Sequence, residues 1–174
     1  MSTLFVNNLN TASGSTITVP TGKQLIVTDA GAVRVPGSVM QVVEGTGGAG
    51  ELSVTSTSYA ATGCKLSITP VATSSKVLIF ASSGYNYVGG TNDSIVFAIY
   101  KNSSSLKQDI TRVRNNAGGT GVATPLSFHF LDSPNTTSST EYEIYIKVNT
   151  AGDTGQFNSG TTVQARLCLM EIAG

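Results

Sequence analysis

The residue types able to do chemistry are few in this chain and lie far apart. Its one histidine, His129, sits in Pro125-Leu126-Ser127-Phe128-His129-Phe130-Leu131, on the strand face opposite Leu126, Phe128 and Phe130. A histidine acts as a general base only beside a nucleophile and an oxyanion-stabilising group, and the sequence displays neither next to it. His129 therefore reads as a hydrogen-bonded structural residue. Cys64 and Cys168 stand in strand-like contexts and read as free, partly buried thiols, not as the disulfide framework of a small secreted domain. A zinc site needs about four ligands, so one histidine and two distant cysteines give no metal site.

The carboxylates are as dispersed as the thiols. Only Glu141 and Glu143 share a strand face, whereas glycoside hydrolysis needs two carboxyls converging about 5 to 10 Å apart in a cleft. Two like charges alternating on a strand read as a solvated face. Trp is absent, so stacking of a sugar would rest on Tyr59, Tyr85, Tyr87 or Tyr100. Of these, Tyr85-Asn86-Tyr87 lies in Ser83-Gly84-Tyr85-Asn86-Tyr87-Val88-Gly89-Gly90, whose composition is that of a recognition loop. The segment Gly45-Thr46-Gly47-Gly48-Ala49-Gly50 matches a dinucleotide-binding GxGxxG by letter. The next residues, Glu51 to Thr57, are β-prone and without helical period, so the glycines read as a loop or hairpin. No catalytic residue and no cofactor is expected.

Composition narrows the partners. Charged residues make up 11% of the 174 residues and the formal net charge is zero, against about 25% charged in an ordinary globular protein. Ser and Thr supply roughly a quarter of the chain, so the wet surface is hydroxyl-rich. Without a basic patch there is no footprint for a nucleic acid. The opening Met1 to Asn8 has no basic n-region, and apolar runs such as Val77 to Ala81 are too short to cross a bilayer. The expectation is a protein that stays soluble in the cytoplasm where it is made, with no membrane insertion.

The elements that must position these residues are all strands, because no apolar period of 3.6 persists and short β-prone runs alternate with turn residues throughout. Four very short strands are expected at Thr3 to Val6, Thr16 to Val19, Gln24 to Thr28 and Ala32 to Val35. Pro36-Gly37-Ser38 then breaks the pattern. Residues 1–37 form a β-rich segment too poor in large side chains to fold alone, and 38–174 a sandwich of nine strands: Val39 to Glu44, Leu52 to Thr57, Lys65 to Thr69, Lys76 to Ser82, Ser94 to Lys101, Ile110 to Arg114, Thr124 to Leu131, Glu141 to Val148 and Thr162 to Ile172. Glu141 to Val148 alternates cleanly, with Tyr142, Ile144, Ile146 and Val148 on one face. Val77 to Ala81 and Ile95 to Tyr100 are apolar on both faces, and with no helix available to cover them self-association is the simplest way to bury the second face.

The opening Met1 to Gly14, the junction Val35-Pro36-Gly37-Ser38-Val39-Met40-Gln41-Val42-Val43, the pattern Ser67-Ile68-Thr69-Pro70 followed by Ser74-Ser75-Lys76-Val77-Leu78-Ile79, and the C-terminus Leu169 to Gly174 resemble virion structural and tail-fibre-like proteins of marine tailed phages of the cyanophage type. The resemblance implies an all-β, non-enzymatic homotrimer assembled into the virion in the host cytoplasm. Its C-terminal domain would be similar to the tumour-necrosis-factor-like jelly-roll β-sandwich. Residues 1–37 would attach it to other virion proteins. Such trimers bury one apolar sheet face around a three-fold axis, which makes Phe80, Phe97, Ile99 and Tyr100 the expected interface. Tyr85, Asn86 and Tyr87 would form a distal recognition loop, with host surface carbohydrate as a candidate partner. Tail fibres usually carry long shafts, and here at most 37 residues precede the sandwich. A capsid decoration (cement) protein is therefore the alternative to a short tail fibre.

Overall fold

The computed structural model describes residues 19–24, 26, 33–46, 50–116, 120–160 and 164–174. The four N-terminal strands lie wholly or partly outside these residues, as do the glycines of 47–49. The chain divides into two compact units, Met1–Val33 and Arg34–Gly174. Residues 34–37 belong with the second unit because they are hydrogen-bonded to it. Val35-Pro36-Gly37-Ser38 closes a turn through Ser38 N–H to Val35 O (2.9 Å), with Gly37 at φ 84°. Pro presets the first corner residue and Gly supplies the positive φ at the second. The turn then docks on the C-terminus: Gly37 N–H donates to Ala173 O at 2.7 Å.

Among the described residues the second unit is all β, with two antiparallel sheets packed as a β-sandwich. Its strands are β1 (Val39–Thr46), β2 (Leu52–Val54), β3 (Ala60–Ile68), β4 (Lys76–Val88), β5 (Ser94–Lys101), β6 (Ser104–Arg114), β7 (Val122–Asp132), β8 (Thr140–Val148), β9 (Gly155–Ser159) and β10 (Arg166–Ile172). One sheet runs β1-β10-β4-β9-β2 with β7 on the other edge of β4, and the second runs β3-β8-β5-β6. The long β4 makes this possible, because its first half pairs with β10 and its second half with β9. Of the expected last strand, Thr162 to Ile172, the strand itself begins at Arg166, and β9, Gly155–Ser159, is a strand the sequence reading did not contain. Strands β5 and β6 are joined by Asn102-Ser103, both at positive φ (48° and 63°). That two-residue turn matches the right-handed twist of its strands.

The core lies between the sheets, with Val77, Ile79 and Ala81 of β4 and Leu167 and Leu169 of β10 facing Ile95, Phe97 and Ile99 of β5 and Tyr142, Ile144 and Ile146 of β8. Each large side chain buried there contributes about 1.5 to 3 kcal/mol. Phe97 sits at the centre, its ring 6.2 Å from Phe128 and 6.4 Å from Phe157. Phe97 and Ile99 are both fully buried within one chain. They are therefore core residues, not the subunit contacts expected of them, because the parity of β5 turns both toward the opposite sheet.

The outer face of β5 is also covered without a partner. Val96 and Ala98 are buried, their cross-strand neighbours being Lys147 and Tyr145 of β8. The Tyr100 ring stacks on Tyr145 at 3.7 Å, and Tyr59 leans on Tyr100 at 6.1 Å. A bulge at Asp109 (φ 50°) holds Tyr59 there: its hydroxyl donates to Asp109 Oδ1 and accepts from Asp109 N–H, each at 3.0 Å. Lys147 Nζ lies 4.7 Å from the Tyr59 ring centroid. Tyr100, expected at a subunit interface, is thus spent on closing the four-stranded sheet. The same face corrects the reading of Glu143 as solvated. Glu143 is 9% exposed, and its Oε1 accepts Gly63 N–H at 3.0 Å where β3 bulges.

Candidate functional site: the uncovered face of the six-stranded sheet

Among the described residues the outer face of the other sheet has no such cover. Strand alternation sends Leu78 and Phe80 of β4 outward, and register aligns them with outward residues of three neighbours. Val42, Met170, Leu78 and Leu131 form one row across β1, β10, β4 and β7. The next row is Glu44, Cys168, Phe80 and His129, and the third is Thr46, Arg166, Ser82 and Ser127. The face therefore grades from apolar to polar along the strands. Its exposed members are large: Val42 is 54% exposed, Leu131 46% and Phe80 41%. Of the residues expected at an interface, Phe80 alone lies here.

Between the second and third rows lies a depression of about 440 Å³, lined by Phe80, His129, Cys168, Glu44 and Arg166 among others. Phe80 and His129 are tilted neighbours, with ring centroids 6.1 Å apart, and Arg166 pairs with Glu44 at 3.2 Å. His129 and Cys168 share this depression but flank Phe80 on opposite sides, so two strand spacings, about 9.5 Å, separate them. That is beyond the hydrogen bond a thiol–imidazole nucleophile needs. Burial, with Glu44 adding to it, also pushes the Cys168 thiol up, away from the reactive thiolate. Cys64 is a buried core thiol, raised to about 12 by burial and then by Glu143. Both cysteines are free. Among the described residues no group of three or more His, Cys, Asp or Glu is placed to hold a metal ion.

The Tyr85-Asn86-Tyr87 segment is not a loop. It is the second half of β4, paired on one side with β7 and on the other with β9. Its alternation splits the trio. Tyr85 faces outward at 54% exposure, while Asn86 is fully buried. Asn86 Nδ2 donates to Ser83 Oγ (2.7 Å) and Gly84 O (3.1 Å), and its Oδ1 accepts Asn158 N–H (3.3 Å). These bonds hold the irregularity between Ser83 and Tyr85, and Asn86 has no atom left for a ligand. The Tyr87 ring lies against Gly89 and fills the space where a Cβ at Gly121 would stand.

Sequence reasoning also missed two buried polar anchors, because both pair residues far apart in the chain. Asp132 accepts the Tyr142 hydroxyl at 2.7 Å and pairs with Lys101 at 3.0 Å, tying the end of β7 to the opposite sheet. Burial, then Asp132 itself, pushes the Tyr142 phenol far up. Glu171, fully buried at the end of β10, accepts Gln41 Nε2 at 2.5 Å and Val71 N–H at 2.7 Å. Burial would raise its carboxyl, but the hydrogen bonds outweigh it and hold the group below the usual carboxylate range. Compared with known proteins, the chain matches no family model and no curated sequence.

Proposed function

We propose that this protein is a non-enzymatic structural component of a tailed-phage virion, a homotrimeric surface appendage of the short tail-fibre or host-adhesion type. One observation carries the self-association: the apolar row Val42, Met170, Leu78 and Leu131 with Phe80 beside it, uncovered on a sheet whose counterpart is closed by its own side chains. A contiguous apolar patch of this kind on a soluble domain marks an interaction surface. The strand order supports the jelly-roll reading, since β1 lies beside the last strand, β10, in one sheet and β3 beside β8 in the other. The virion assignment rests on the sequence resemblance, with residues 1–37 as the attachment segment and host carbohydrate as the distal partner.

Sedimentation at micromolar concentration tests the assembly. The wild type is expected as a trimer and Phe80→Asp as a folded monomer. A monodisperse wild-type monomer would remove the basis of the reading. Copy number per particle then separates the two virion roles: a few dozen or fewer for a fibre, hundreds for the decoration protein.

A further inference from the structure

The end of the sandwich opposite Gly37 and the C-terminus carries the turn 89–93 between β4 and β5 and the turn 149–154 between β8 and β9, with Asn115 and Thr120 beside them. Asp93 is where they meet. Its backbone O accepts Asn115 N–H at 2.9 Å, and its Oδ1 accepts Thr150 N–H at 2.9 Å. Asn115 Nδ2 in turn donates to Gly90 O (2.9 Å) and Thr120 O (2.8 Å). A second carboxylate belongs to the same turns, because Asp153 lies so close to Gly90 that a Cβ there would collide with it. Asp153 N–H closes the 150–153 turn onto Thr150 O at 3.3 Å.

This arrangement leaves one atom unaccounted for. Asp93 is fully buried, yet its Oδ2 has no hydrogen-bond partner. Buried polar atoms are paired in the great majority of cases, and an unpaired carboxylate oxygen is among the most costly exceptions. Among the described residues neither Asp93 nor Asp153 forms an ion pair, so no cationic side chain neutralises this end. What completes the site comes from outside the chain, and a carboxylate oxygen with no cationic side chain beside it is a ligand for a hard cation.

We propose that Asp93 Oδ2 is a ligand of a Ca²⁺ ion that fastens the 89–93 turn to the 149–154 turn, with Asp153 as the second carboxylate of the site. Two carboxylates place the affinity in the weak range of extracellular modules, a Kd of about 10⁻⁴ to 10⁻³ M. The ion would order the end of the sandwich opposite Gly37 and Ala173, whatever the role proposed for the assembled protein. Ca²⁺ binding at these turns is independent of that reading and is measured on the isolated full-length chain.

The test is thermal unfolding at constant ionic strength. Raising CaCl₂ to about 10 mM is expected to lift the wild-type midpoint by roughly 3 to 10 °C. Asp93→Asn keeps the Thr150 contact and removes the charge, and is expected to abolish the Ca²⁺ response while remaining folded. No shift in the wild type, or an equal shift in Asp93→Asn, would overturn the proposal and leave a bound water as the occupant. Should Asp93→Asn fail to fold, Tb³⁺ luminescence on the wild type decides. Emission excited through tyrosine that saturates and is displaced by Ca²⁺ supports the site, and its absence overturns it.

Discussion

Glu171 shows how one residue fixes several segments. Its carboxyl is held below the usual carboxylate range, and its hydrogen bonds join β10 to Gln41 of β1 and to Val71 before β4. A folded-state value below the unfolded one contributes stability that is complete above the unfolded pKa, about 4.3, and that is lost as pH falls through the depressed folded value. Glu171→Gln should therefore cost about 2 kcal/mol at neutral pH and flatten the loss of stability in acid. Urea midpoints of both proteins at pH 7 and below pH 4 measure this, and parallel pH profiles would show that Glu171 is not the titrating anchor. The two thiols offer a second residue-scale test. Cys64, raised to about 12 and buried, should react with a thiol reagent only on unfolding, whereas Cys168, half-buried in the uncovered face, should react in the dissociated chain and be protected on assembly. Equal labelling of Cys168 at low and high protein concentration would place that face outside the contact. Cys64 and Cys168 were legible as free thiols from their spacing, but which of them is shielded was not, since that depends on which side of its strand meets the other sheet.

At the scale of elements, β4 and β5 are a pair that sequence treats alike and structure separates. Both are apolar on both faces, and a two-sided apolar strand calls for a second cover. For β5 that cover is Tyr59, Tyr100, Tyr145 and Lys147 of the same chain. For β4, Phe80 has only the tilted His129 ring beside it among the described residues and stays exposed. Substitutions in the two strands should fail differently. Phe97→Ala should cost about 3 to 5 kcal/mol of folding stability, since it opens a cavity at the centre of the core. Leu78→Asp should cost little folding stability yet disperse the oligomer, because Leu78 sits on the outer face. Denaturant unfolding read together with sedimentation distinguishes them, and loss of fold in Leu78→Asp would mean the outer row is already needed by the single chain. Bulges explain the misread elements. At Ser83/Tyr85 and Ala61/Lys65 the register shifts, which buries Asn86 and brings Glu143 onto Gly63.

For the whole molecule, both chain ends of the sandwich unit lie together. Gly37 hydrogen-bonds Ala173, and Arg34 Nη2 reaches Ser74 Oγ at 3.4 Å. The 89–93 and 149–154 turns lie at the other end of the strands. Removing residues 1–33 should leave the melting temperature of the sandwich unchanged and abolish incorporation into particles. Recovery of the truncated chain with gradient-purified virions at normal copy number would move the attachment surface onto the sandwich and favour the decoration role. Extending the deletion through Gly37 should lower the melting temperature, because it also removes the contacts to Ala173.

The sequence by itself determined that the chain is all β, where most strands run and where the chain turns between them. Those properties come from local periodicity and from the conformations Pro, Gly and Asn permit, as at Pro36-Gly37 and Asn102-Ser103. Only the tertiary structure decided which apolar face remains uncovered, that Phe97 and Ile99 are core, that Asn86 is a strand anchor and that Asp93 holds an unpaired oxygen. Alternation assigns side chains to two faces but does not say which face meets the other sheet. That choice is made by pairing between strands distant in sequence and by bulges that reverse parity, and neither leaves a local trace.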